Sequence, residues 1–125
     1  MKSGTVVYHN GIYIEEKILI GRTARGRGAG GDPTKGEAAA LESELALRRI
    51  TNDTQLAIIT AGMGGGSGTG AAGHIARLAK QQGAMTIAVV TYPFNSEGAL
   101  RKQNAEWGLE RLREHCDTIL VIPNE

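Results

Sequence analysis

The chain has 125 residues, a formal net charge of +1, 41% hydrophobic residues and a single cysteine. That length supports one small domain with its own core, near-neutral charge argues against general nucleic-acid affinity, and a lone Cys116 excludes an internal disulfide framework and fits a reducing compartment. No apolar run approaches the ~20 residues of a membrane span and no signal-peptide pattern is present, so a cytoplasmic protein is expected.

In chain order, Thr5-Val6-Val7-Tyr8 and Ile12-Tyr13-Ile14 flank His9-Asn10-Gly11, which predicts a β-hairpin over residues 5–14. Lys17 to Gly21 reads as a short buried strand, followed by a first glycine loop from Arg25 to Pro33. Thr34 to Ile50 is predicted helical, with Pro33 near its start, Glu37 in its early turns and Leu41, Leu45 and Ala38 as an apolar stripe. Thr51-Asn52-Asp53 ends it.

Leu56 to Thr60 then reads as a buried strand running into a second glycine loop, and a helix follows over about Gly70 to Gln82, with Ile75, Leu78 and Ala79 on one face and Gly83 as its cap. Thr86 to Thr91 is a continuous apolar strand of the parallel-sheet kind. After the loop Tyr92 to Ser96, a helix from Glu97 to His115 aligns Ala105, Leu109, Leu112 and Cys116, and Thr118 to Ile122 is a last buried strand. Alternating strands and helices predict an α/β fold: a Rossmann-like, mostly parallel sheet flanked by helices, with an N-terminal β-hairpin. Ligands of such sheets bind at the carboxyl ends of the strands. Both glycine loops, the Tyr92 to Ser96 loop and Asn124 all follow strands, so they are expected on one rim.

The second glycine loop carries the chemistry. From Gly64 to Gly70 five residues are glycine, and the exceptions, Ser67 and Thr69, bear hydroxyls. A glycine loop feeding a helix N-terminus offers unpaired N–H groups, and the missing Cβ atoms let an anion approach, so phosphate is the expected guest. The G-x-x-x-x-G-K-[ST] class is excluded because no lysine follows these glycines. Gly26-Arg27-Gly28-Ala29-Gly30-Gly31 fits G-x-G-x-x-G, the dinucleotide pattern, but that pattern needs its helix to open inside the glycines and an acidic residue at the end of the next strand. Here Pro33 delays the helix and Asp53 precedes the strand.

Gly64-Gly65-Gly66-Ser67-Gly68-Thr69-Gly70 resembles the signature of the tubulin/FtsZ family, and Ala61 to Ala72 is similar to it almost residue for residue. Further matches are Ala29-Gly30-Gly31, with Asp32 where the family usually has Asn, the loop Pro93-Phe94-Asn95-Ser96-Glu97-Gly98, Arg101, and Ile122-Pro123-Asn124. The resemblance covers Lys17 to Glu125 and leaves residues 1–16 as a hairpin extension without a clear family match. It implies a GTP- or GDP-binding domain of a filament-forming cell-division protein, with Mg2+ as the nucleotide's companion.

The resemblance also implies roles. Gly64, Gly65, Gly66, Ser67, Gly68, Thr69 and Gly70 would hold phosphates, Ala29, Gly30 and Gly31 would lie against the terminal phosphate, Glu97 would contact the ribose, Arg101 the nucleotide, and Asn124 the guanine edge. As a plain pair, Glu97 and Arg101 at i and i+4 also fit a solvated helix face. Beside the family pattern, the family's opening strand, the further glycine loop and helix after it, its second strand, the long central helix and the acidic activating loop have no match, and Gly73-His74 replaces Pro-Val. A partial GTP-binding domain is therefore expected, with no catalytic residue of its own, acting by self-association or with full-length FtsZ-like subunits. The alternative is a non-catalytic partner or cap of such filaments.

Other residues take ordinary readings. His74 is expected on a polar rim or helix surface, and no second His or Cys stands at metal spacing. Cys116 is expected in the core. Trp107 falls opposite the Ala105 stripe, as a surface aromatic or a partner contact. Arg22, Arg25 and Arg27 would be solvated or would draw an anion to the nearby loop.

Overall fold

The structure is a computed structural model that describes residues 18–21 and 27–124. Its elements run α1 (Pro33–Glu42), α2 (Glu44–Thr51), β1 (Leu56–Gly62), α3 (Ser67–Gln81), β2 (Met85–Tyr92), a 3-10 turn (Asn95–Glu97), α4 (Ala99–His115) and β3 (Thr118–Pro123). The predicted hairpin lies outside the described residues. The three strands form a parallel sheet in the order β1-β2-β3, with Ile58 opposite Ile87 and Val89 opposite Leu120. The expected α/β class and parallel sheet are therefore present.

Strand alternation sorts the side chains. Ile59, Ala61, Ala88, Val90 and Ile119 face α3 and α4 and join Met63, Ala72, Ala76, Ala105, Leu109 and Leu112 in one core. The stripe of Ala105, Leu109, Leu112 and Cys116 thus packs as its spacing predicted, and burial pushes the Cys116 thiol pKa up. The other sheet face is apolar and uncovered among the described residues: Ile58 is 60% exposed, Leu120 55% and Ile122 48%.

A second core joins α1, α2 and α3 through Ile20, Ala29, Ala39, Ala40, Leu47, Ala71 and Leu78. Here three expectations are corrected. Ile18 to Gly21 forms no strand: Ile20 is buried in this cluster and the Gly21 N–H donates to Ser43 Oγ at 3.0 Å instead of to a ladder. The predicted helix over Thr34–Ile50 is two helices that break at Ser43, whose hydroxyl is drawn to Gly21 and whose backbone sits at φ −104°, ψ 22°.

The predicted stripe of Ala38, Leu41 and Leu45 is exposed; the buried face of α1 is Pro33, Gly36, Ala39 and Ala40. Backbone contact decides this. A Cβ on Gly36 would sit 2.2 Å from Gly66 O, and one on Gly70 would sit 2.1 Å from Pro33 O, so α1 and α3 cross too closely for leucines to fit between them.

Candidate functional site

The site forms where β1, β2 and β3 end. β1 runs through Met63 into Gly64-Gly65-Gly66, and α3 starts at Ser67 with Gly66 as its N-cap and no side-chain cap. The first N–H groups of α3 have no acceptor within the helix, and the dipole's positive end faces the same way. Three neighbours close around this turn. The first glycine loop touches it through Gly66, where a Cβ would lie 2.5 Å from the Ala29 Cβ. Arg101 backs it, since a Cβ on Gly64 would lie 3.3 Å from Arg101 O and 3.4 Å from Pro93 Cγ. Asn124 follows β3, its N–H donating to Tyr92 O at 2.9 Å.

The residues expected on one rim are therefore close in pairs: Ala29 with Gly66, Gly64 with Arg101 and Pro93, and Asn124 with the end of β2. Their surroundings differ. Gly28, Gly30, Gly31 and Gly65 border open space, and Gly30 and Gly31 hold φ +64° and +78°. Thr69, in contrast, is buried, and its hydroxyl accepts the Gly64 N–H at 2.9 Å, which fixes the turn from below. Gly66 and Gly70 serve the α1–α3 crossing. Gly68 lies against β1, where a Cβ would be 3.2 Å from Gly62 O.

Asp32 caps α1, accepting from Thr34 N at 3.0 Å and Thr34 Oγ1 at 2.7 Å, and these bonds hold its carboxyl below the usual range. Glu97 accepts from Arg101 Nε at 3.0 Å and from Phe94 N at 2.7 Å. They are not on one continuous helix, because Gly98 at φ +101° separates the 3-10 turn from α4. Among the described residues no group of three or more His, Cys, Asp or Glu is placed to hold a metal.

Asn104 is the residue sequence reasoning missed. It is buried on α4, and its amide nitrogen donates to Gly31 O at 2.9 Å and to Gly64 O at 3.1 Å, one carbonyl from each glycine loop. The available signal was an asparagine inside a predicted helix, three residues after Arg101 and next to Ala105 of the apolar stripe.

His74 is a correction. It is buried, not on the helix surface: Nδ1 lies 3.1 Å from Arg77 Nη2 and Nε2 lies 3.2 Å from Glu44 Oε1, because α2 packs over that turn of α3. Burial, then the Arg77 charge, push its pKa below the ordinary value. Trp107 is half-buried beneath the Arg111 guanidinium, 3.4 Å from the ring centroid, and Arg111 Nε donates to Glu37 at 2.8 Å. Arg22 and Arg25 lie outside the described residues, and Arg27 is exposed.

A parallel sheet whose first described strand turns through glycines into a helix, with a second glycine loop locked against that turn, defines a Rossmann-like α/β domain of the glycine-loop type. The family is equally definite: the model of the Tubulin/FtsZ family GTPase domain matches residues 4–125, and the chain belongs to that family. It is 54% identical over 110 residues to cell division protein FtsZ 1 of Archaeoglobus fulgidus, which covers 87% of this chain and 30% of the relative. Among solved structures, an empty FtsZ dimer of M. jannaschii aligns with TM-score 0.85 at 53% identity, covering 87% of this chain and 32% of that one. CetZ2 from Haloferax volcanii, in a GTPγS-bound protofilament, aligns with TM-score 0.79 at 29% identity over 87% of this chain and 35% of that one. The chain thus spans about 30% of the length of the curated relative. Among the described residues, no helix is long and apolar enough to cross a membrane.

Proposed function

We propose that this chain supplies part of a GTP/GDP site of the FtsZ kind, in a cytoplasmic, self-associating protein of cell division. The observation that carries the proposal is the meeting of two glycine loops at the start of α3, at the carboxyl end of a parallel sheet, in a member of this family. Around four rim glycines, Gly28, Gly30, Gly31 and Gly65, no atom of the described residues lies within 4 Å of an added Cβ, which is room a phosphate chain can use. On this reading the Gly64 to Gly70 turn and the α3 N–H groups take the inner phosphates and Ala29 to Gly31 the terminal one. Arg101 adds positive charge, Glu97 meets the ribose and Asn124 the guanine edge. Mg2+ would be held mainly by phosphate oxygens, since the described residues form no metal cage.

Hydrolysis needs an oriented water and a group to orient it as well as charge stabilisation. Asp32 is committed to Thr34 and Glu97 to Arg101 and Phe94, so neither is a spare base. On this reading the described residues supply an incomplete half-site, and the purified protein with magnesium is expected to release no phosphate from GTP until a full-length FtsZ-like subunit is added. Sustained release by the chain alone would refute this.

The binding test is a titration of labelled GTP against wild type and Gly65→Val. Gly65 lies outside the positive-φ region and no atom of the described residues comes within 4 Å of its Cβ position, so the substitution adds bulk at the phosphate approach with no clash at Cβ. Equal binding by both proteins would remove the loop from the site. The face of Ile58, Leu120 and Ile122, uncovered among the described residues, favours a second reading, in which the chain acts as a non-catalytic partner or cap of FtsZ-like filaments. Retention of GTP by the chain alone speaks for the first reading; binding to filaments without nucleotide retention speaks for the second. The dinucleotide alternative loses support because α1 opens at Pro33, after the glycines, behind the Asp32 cap.

A further inference from the structure

α4 presents two faces. Ala105, Leu109 and Leu112 pack into the sheet core, while Arg101, Asn104 and Gly108, at i, i+3 and i+7, lie along the glycine turn. On that second face Gly108 is backed by Thr69 Cγ2 and Met63 Sδ, where a Cβ would meet them at 2.7 and 2.9 Å, so the helix cannot shift away from the turn without opening a void. Arg101 on this face is exposed, whereas Asn104 is its buried polar member. Its one nitrogen carries two protons, and two carbonyls, 33 residues apart in sequence, receive it: Gly31 O at 2.9 Å and Gly64 O at 3.1 Å.

Both acceptors belong to glycines with positive φ, +78° at Gly31 and +118° at Gly64. In such turns successive backbone N–H groups can converge to form an anion-binding concavity. Drawing both carbonyls inward onto one amide therefore fixes how the two loops are oriented and how far apart they stand. A ligand that reaches only one loop gains nothing from that spacing. A phosphate chain long enough to touch both gains its full benefit, because the cost of ordering two separate loops has been met before binding.

We propose that Asn104 is the positioning residue that couples the two glycine loops, and that through this coupling the rim selects for polyphosphate length. The inference rests on the nucleotide reading of the rim. A purely structural asparagine would change stability and leave the relative affinities of long and short phosphate chains alone.

The test uses the full chain as wild type, Asn104→Leu, which keeps the number of side-chain heavy atoms and the branch at Cγ but has no donor, and Gln103→Leu as an exposed control on the same helix. The first readout needs no ligand. Amide exchange is followed at Gly64, whose N–H donates to Thr69 Oγ1, and at Asp32, whose N–H donates to Ala29 O. In Asn104→Leu both should exchange faster together, by about tenfold for the loss of two neutral hydrogen bonds, with β2 amides unchanged. Acceleration in one loop only, or in neither, overturns the coupling.

The second readout is affinity for GTP, GDP and GMP with magnesium. Asn104→Leu should weaken GTP by about tenfold and GMP by less than about twofold; an equal loss for all three, or none, overturns the length selection. If wild type binds none of the nucleotides, the nucleotide reading fails and with it the length selection, while the exchange data still judge the coupling. Should the leucine variant not fold, Asn104→Asp, which presents a carboxylate to two carbonyls, must show the same pattern. Retained GTP preference in that variant counts against the proposal.

Discussion

The glycines that lead into α3 and those that lead into α1 look alike in the sequence, but Gly66 and Gly70 meet a demand that Gly30 and Gly31 do not. At the start of α3, Gly66 and Gly70 face packed neighbours: added Cβ atoms would meet Ala29 Cβ at 2.5 Å and Pro33 O at 2.1 Å. In the loop before α1, Gly28, Gly30 and Gly31 face open space, and the latter two are glycine because the chain there turns with positive φ. One loop uses the absent side chain to bring two helices together, and the other uses it to free the backbone. Conserving composition while exchanging these demands would fail in different ways, and substitution separates them.

The largest effect should come from Gly70→Ala. Its Cβ collides with backbone on α1 that has nowhere to move, because Gly36 is pressed equally hard against Gly66 O. Loss of about 3 kcal/mol or more in denaturant unfolding is expected, at the upper end for overpacking. A loss below ~1 kcal/mol would show that the α1–α3 crossing is looser than described. Next, Gly31→Ala meets no atom and costs only its left-handed backbone, roughly 1–2 kcal/mol. A stabilising Gly31→Ala would break the comparison, since it would mean that φ there is free to change.

A pH titration sharpens the account of α3 just beyond its loop. The His74 pKa is lowered in the folded protein by burial and Arg77, so the unfolded chain binds the extra proton first. Stability is then fully present above the unfolded value of about 6.5 and falls as pH drops below it toward the folded pKa. In His74→Gln this decline should vanish from the unfolding midpoint measured between about pH 6.5 and 5; an unchanged decline would assign it to another group. The smallest effect belongs to Gly65→Ala, expected within ~0.5 kcal/mol of wild type in thermal unfolding because nothing lies near its Cβ. A large loss there would place Gly65 with Gly66 and Gly70 among the packing glycines.

The limits of sequence reading follow the same division. The three strands were legible because each is an apolar run bounded by turn residues, and Ala105, Leu109 and Leu112 were legible because helix period alone puts them on one face. On the predicted helix over Thr34 to Ile50 the same reasoning chose Leu41 and Leu45, which fall on α1 and α2, and it failed because periodicity ranks residues by hydrophobicity while the α1–α3 contact selects by size. Ile18 to Gly21 looked like a strand, yet strand formation depends on a ladder partner, and the Gly21 N–H found Ser43 instead.

By itself, then, the sequence determined the parallel α/β class, the family, and the set of loop residues that gather at the carboxyl rim, since these follow from local pattern and motif. Tertiary structure alone decided which glycines are for packing and which face open space, that His74 is buried against Glu44 and Arg77, and that Asn104 ties Gly31 to Gly64. Each of these depends on a contact between segments far apart in the chain, and local composition carries no record of which distant backbone will arrive.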